Sequence, residues 1–206
     1  MTDAIRHPRL PTDTDDGLVL VISGPSGAGK TTITRGVERA IRGSVFSVSW
    51  TTRPPTPADV EGVDYHFVSD EEFERMREAG GFLESAGVYG KKYGTPREWV
   101  IEHLNRGRVV ILEIDVQGAI NVKRHIPDVF ALFILPPSEE VLLQRLRDRK
   151  REDEAMIQRR FSQATAEIAA ARACHVYDHF IVNQDLDEAI AKATALVRER
   201  RERGVL

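Results

Sequence analysis

The stretch Gly24-Pro25-Ser26-Gly27-Ala28-Gly29-Lys30-Thr31 fits the spacing G-x-x-x-x-G-K-[ST] of a phosphate-binding P-loop. That spacing constrains its surroundings, because such a loop needs a buried strand before it and a helix after it. The apolar-rich run Leu18 to Ser23 supplies the strand, and Lys30 to Arg42 is helix-compatible. Glycines let the backbone curl so that several N–H groups face inward. The loop ends on a helix N-terminus, where unpaired N–H groups and the dipole favour an anion. Lys30 can reach the β- and γ-phosphates of a nucleoside triphosphate, and the Thr31 hydroxyl can hold Mg²⁺. What receives the phosphoryl group has to be read elsewhere in the chain.

Two hundred and six residues suffice for one α/β domain with inserts, and 41% hydrophobic residues can build its core. The net charge of −3 creates no global field for nucleic acid, so none is expected as a partner. A single cysteine, Cys174, allows no intrachain disulfide and no multi-cysteine metal site, which suits a reducing cytoplasm. Its place after an alanine-rich helical stretch reads as a small buried hydrophobe. Residues 1–16 mix Arg6, His7 and Arg9 with prolines and aspartates and have no apolar segment, so they read as a disordered tail rather than a secretory signal. No apolar run approaches the roughly 20 residues of a membrane span.

Further along, Ser44–Trp50 reads as a second strand, followed by a loop that Pro54, Pro55 and Pro57 keep extended. Asp64–Val68 is a short strand. Ser69 caps the next helix, with Glu72 three residues on, and Gly80-Gly81 end it. Phe82–Thr95 reads as a hairpin or meander, and Thr95 as the N-cap of a helix with Pro96 at its first position. Arg108–Asp115 and Val129–Leu135 are near-continuous apolar strands, Val116–His125 is a helix between them, and Ser138 caps another. A charged stretch, Arg145–Asp153, leads into a long helix from Glu154 to about Ala173. His179–Asn183 is the last strand, and Asp187–Arg203 a C-terminal helix. Apolar strands alternating with helices predict an α/β fold with a parallel β-sheet core flanked by helices. Residues 51–95 break that rhythm and read as an inserted subdomain. The expected division is therefore a core over 17–50, 96–144 and 174–206, the insert, and a helical lid over 145–173.

Three groups of residues carry chemistry. Glu113 and Asp115 end an apolar strand, the pattern that brings a carboxylate to Mg²⁺ near the phosphates; strand alternation puts both on one face. Arg145 and Arg149 are four apart and share a helix face, with Arg160 farther on. Guanidinium groups suit phosphate oxygens and the charge that develops during phosphoryl transfer. The third group is Ser49, Arg53, Tyr65, Glu84, Tyr93 and Thr95, in or beside the insert. Arg and Tyr can hold a monophosphate, Glu84 can accept from a base's N–H groups, and Thr95 can contact a base edge.

At this point the chain resembles the guanylate kinase family. The resemblance is carried by Ser47-Val48-Ser49-Trp50-Thr51-Thr52-Arg53-Pro54, Gly62-Val63-Asp64-Tyr65-His66-Phe67-Val68, Phe82-Leu83-Glu84 and Tyr93-Gly94-Thr95. Leu112-Glu113-Ile114-Asp115-Val116-Gln117-Gly118, Ile134-Leu135-Pro136-Pro137-Ser138 and Ile181-Val182-Asn183 extend it, so it covers about residues 17–203. It implies transfer of a phosphoryl group from ATP to GMP with Mg²⁺, in a cytoplasmic monomer or homodimer acting on small molecules. It implies that the P-loop holds ATP, that Ser49, Arg53, Tyr65 and Tyr93 bind the GMP phosphate, and that Glu84 and Thr95 read guanine. Arg145, Arg149 and Arg160 would belong to the lid and phosphate clamp. Glu113 falls where the family often has Asp on the GMP side; either acid accepts hydrogen bonds, so the resemblance implies that Glu113 also binds GMP.

Two departures stand out. A second arginine expected three residues after Arg53 is Thr56, and the following Gly-Glu is Ala58-Asp59. Lys91 and Lys92 precede Tyr93 where Asn-Tyr is common, and one of them is expected to supply the missing charge. Two rival readings remain open at this level. One is a P-loop kinase with another acceptor, against which Glu84 and Thr95 argue. The other is a non-catalytic phospholigand-binding module, against which the intact Lys30-Thr31 pair argues.

Overall fold

Odd and even positions of the central strands face different layers, and this alternation builds the molecule. In the computed structural model, which describes residues 17–88, 90–148 and 153–203, five strands form one parallel sheet. β1 (Leu18–Ser23) lies at its centre, between β7 (Val109–Glu113) and β8 (Phe130–Leu135). β2 (Ser44–Phe46) and β9 (His179–Val182) form the edges. Leu18, Leu20, Ile22, Ile111, Leu132, Ile134 and Ile181 pack on one face under α1 (Lys30–Ala40) and α7 (Leu186–Arg203). Val19, Val21, Val110, Leu112, Ala131 and Phe133 pack on the other. There they meet α3 (Arg97–Asn105), α4 (Val116–His125) and the end of α6 (Glu154–Ala173). Strands buried on both faces explain why their sequences read as continuous apolar runs.

The expected strand Ser44–Trp50 is two strands in two sheets. β2 pairs with β7, and the Ser47 amide still donates to Ile111 O at 2.9 Å. The chain then leaves that edge. β3 (Ser49–Thr51) joins a four-stranded sheet of order β4-β3-β6-β5, with β4 (Tyr65–Phe67), β5 (Phe82–Val88) and β6 (Lys91–Pro96). Ser44–Trp50 is short and rich in apolar and β-compatible residues throughout, with no glycine or proline at the point where the chain changes partner. β5 and β6 form an antiparallel hairpin.

Between β4 and β5 lies α2 (Asp70–Glu78), whose Glu72 amide donates to Ser69 Oγ at 3.1 Å as its capping pattern predicts. Thr95 is not the cap of α3. Pro96 occupies that position with no side-chain cap, and the Thr95 hydroxyl is turned to Glu84 instead. α5 (Glu139–Asp148) and α6 share a small apolar cluster of Leu142, Leu146, Ile157 and Ala164. Arg147 of α5 pairs with Glu154 of α6 at 2.6 Å. Cys174 is half-buried against the second core layer, its thiol on Ala171 O. Among the described residues no helix is long and apolar enough to cross a membrane. The expected tail over 1–16 and Arg149 lie outside the described residues.

Candidate active site

The loop between β1 and α1 is held open by what lies behind it. Gly29 is the N-cap of α1 with φ 91°, a left-handed conformation that side chains resist. A Cβ there would also lie 2.4 Å from Asn183 Nδ2. That amide donates to Ala28 O at 2.7 Å and so braces the loop from the end of β9. Gly29 offers no side chain to cap α1, and no acidic residue sits in the helix's first turn. Its first N–H groups are therefore not satisfied by a side-chain cap, the arrangement that favours an anion at a helix start. Lys30 Nζ lies over the loop and donates to Pro25 O at 3.2 Å.

Thr31 Oγ1 donates to Glu113 Oε1 at 2.8 Å, which ties the start of α1 to the end of β7. Glu113 Oε2 is buried without a hydrogen-bond partner among the described residues. Asp115 is placed differently from the expected strand end. β7 stops at Glu113, and Asp115 caps α4 by accepting from the Gly118 amide at 2.7 Å. Both acids still line the cleft. Among the described residues no group of three or more His, Cys, Asp or Glu side chains could hold a metal ion. The hydroxyl and the orphaned carboxylate oxygen fit a Mg²⁺ ion that keeps most of its shell as phosphate and water.

The facing wall comes from the second sheet. Thr51 Oγ1 donates to Lys92 O and accepts from the Arg53 amide, both at 3.0 Å. Those bonds fix where the Arg53 loop leaves β3. The Arg53 guanidinium lies 5.1 Å from the Tyr65 ring centre, and Tyr65 meets Tyr93 edge-on at 5.7 Å. Burial pushes the Tyr65 hydroxyl up to about 12, so it stays protonated and able to donate. Asp59 grips Arg53 at 3.0 and 2.9 Å, and that guanidinium holds the Asp59 carboxyl well below the usual range.

Deeper in, Glu84 is only 7% exposed and accepts from Thr95 Oγ1 at 2.6 Å. Burial pushes its carboxyl up to about 7; the Thr95 hydrogen bond opposes this, and the charge of Asp115 adds to it. Gly118 makes this fit possible, since a Cβ there would lie 3.0 Å from Glu84 Oε2. Thr95 itself is fully buried behind Glu84 and does not line the cleft.

One cleft of about 530 Å³ brings these pieces together. Gly24, Ser26 and Lys30 line one side, and Ser49, Arg53, Tyr65, Glu84 and Tyr93 the other. Arg160 and Glu167 enter from α6. Arg145 stands apart, donating to Asn183 O at 3.1 Å beside the P-loop brace. Three residues were missed or given no role in the sequence reading. Asn183 had a usable signal, a buried polar residue at a strand end. Asp59 sits in a turn-rich loop where an acid is unremarkable. Glu167 lies on a helix with little amphipathic pattern; burial pushes it up to about 7, while the charge of Lys30 opposes the rise.

A guanylate kinase family model matches residues 17–200 of this chain. The chain belongs to the guanylate kinase family. The guanylate kinase of Symbiobacterium thermophilum is 46% identical over 189 residues, covering 92% of this chain and 88% of that protein. That of Thermosynechococcus vestitus is 48% identical over 181 residues, covering 87% and 93%. The crystal structure of guanylate kinase from Anaplasma phagocytophilum superposes with a TM-score of 0.73 at 32% identity, covering 91% of this chain and 88% of that one. The guanylate kinase match takes in both walls of the cleft, the second sheet as well as the P-loop.

Proposed function

We propose that this chain is a guanylate kinase that transfers the γ-phosphoryl group of ATP to GMP, and to dGMP, giving ADP and the diphosphate. The observation that carries the reading is the two-walled cleft: P-loop and Lys30 on one side, a cation, two tyrosines and a buried carboxyl on the other. The P-loop amides and Lys30 hold the triphosphate, and Ser49, Arg53, Tyr65 and Tyr93 hold the acceptor phosphate. Glu84, steadied by Thr95, accepts from guanine N–H groups. Arg145, Arg149 and Arg160 clamp the phosphates from the lid. Residues 51–95 act as the acceptor-binding unit and 145–173 as the lid, on a core that carries the P-loop.

Thr31 and Glu113, with Asp115 through water, would hold Mg²⁺. When bound, the ion supplies positive charge against the phosphate oxygens. The protein positions the two phosphates in line and excludes water. A phosphate oxygen of GMP is already an anion, so no side chain has to take its proton. The reading places the enzyme in the cytoplasm as a monomer or homodimer.

A coupled assay of ADP formation with GMP, dGMP, AMP and IMP tests the reading. Turnover is expected with GMP and dGMP and to be far slower with AMP. Equal turnover with AMP would overturn the acceptor assignment, and no acceptor-dependent ADP would overturn the activity.

A further inference from the structure

The acceptor wall needs more positive charge than Arg53 provides. Both terminal nitrogens of Arg53 are engaged by Asp59, and Nη1 also donates to Pro54 O at 3.0 Å. As a unit, Arg53 and Asp59 are close to neutral, whereas a phosphomonoester brings between one and two negative charges near neutral pH. The neighbouring acids Glu113 and Asp115 deepen the deficit.

Strand geometry identifies the missing cation. Successive residues of a strand point to opposite faces. In β6, Tyr93 faces the cleft, and so does Lys91, two residues away; both line it. Their partners across the hairpin, Ala86 and Val88, line it too. Lys92 lies between them and points the other way. Its ammonium is 2.8 Å from Asp70 and 2.9 Å from Glu74, two carboxylates of α2. The Lys92 backbone, meanwhile, is stitched to the Arg53 loop. Lys92 O accepts from Thr51 Oγ1 and the Thr52 amide, and the Lys92 amide donates to Thr52 Oγ1. Those bonds bring Lys91 beside the phosphate-binding loop whatever the side chain of Lys92 does. Lys91 is exposed, and among the described residues no carboxylate pairs with its ammonium.

Building on the guanylate kinase reading, we propose that Lys91 is the second phosphate-binding cation of the acceptor site, acting beside Arg53, and that Lys92 braces the hairpin against α2. Lys91 so fills the charge left open at Thr56.

Steady-state kinetics of the full chain test this. K91A is expected to raise KM for GMP about tenfold, with kcat and KM for ATP within about twofold. The inhibition constant of guanosine, which has no phosphate, is expected to stay at the wild-type value. K91R restores most of the lost affinity, and K92A keeps the wild-type KM for GMP. A K91A enzyme with unchanged KM for GMP overturns the proposal, and so does an equal loss for guanosine. Either result leaves wild-type turnover of GMP intact. A wild-type protein that forms no ADP with GMP would instead overturn the function reading, and this proposal with it.

Discussion

At the residue scale, Lys30 and Glu84 show two ways in which one side chain can matter. The hydrogen bond that the Lys30 ammonium makes among the described residues is a 3.2 Å contact to Pro25 O within its own loop. K30A is expected to lower kcat by about 10²–10³ or more, by removing a preorganised positive charge, while the melting temperature stays within a few degrees. Turnover near wild type would overturn the P-loop assignment. Glu84 is the opposite case, a carboxyl whose burial is costly. Its folded-state value of about 7 lies above its ordinary 4.5, so the folded protein keeps the proton through that window. Stability from this group is complete below pH 4.5 and lost as the pH rises through about 7. E84Q is expected to flatten that slope and to narrow the preference for GMP over AMP. Urea denaturation of both proteins at pH 5 and pH 8 checks the first effect, and the acceptor panel checks the second.

Elements show how neighbours decide what a residue does. Thr95 has the sequence context of a helix cap and becomes the partner of a buried acid, because Glu84 lies opposite it in the hairpin register. Asp115 looks like a strand-end metal ligand and becomes the cap of α4, because β7 ends two residues earlier. Asn183 joins the last strand to the P-loop through its bond to Ala28 O. N183A is expected to raise KM for ATP by about threefold to tenfold with little change in KM for GMP, since the loop loses its brace on one side only. Equal changes for both substrates would count against that role. The α2 cap and α4 were readable in advance because their signals are local: a hydroxyl three residues before an amide, and an apolar stripe at helical spacing.

Over the whole molecule, the two apolar layers on either side of β1, β7 and β8 hold the cleft in place. Leu132 is fully buried in one of them. L132A is expected to cost about 2–5 kcal/mol through lost transfer free energy and a residual cavity, read as a lowered urea midpoint. A loss below about 1 kcal/mol would mean that the layer collapses around the gap.

The sequence by itself determined the parallel core, because strands buried on both faces need continuous apolar runs and crossover helices need amphipathic ones. It also determined the triphosphate loop, whose glycines, lysine and threonine carry their chemistry within eight consecutive residues. Only the tertiary structure decided that Ser44–Trp50 divides between two sheets, that Asp59 occupies Arg53, and that Lys91 rather than Lys92 faces the cleft. The strand alternation separating the two lysines is present in the sequence, but which face meets the cleft is not. That depends on the partners across the sheet and on α2, and such contacts join residues far apart in the chain.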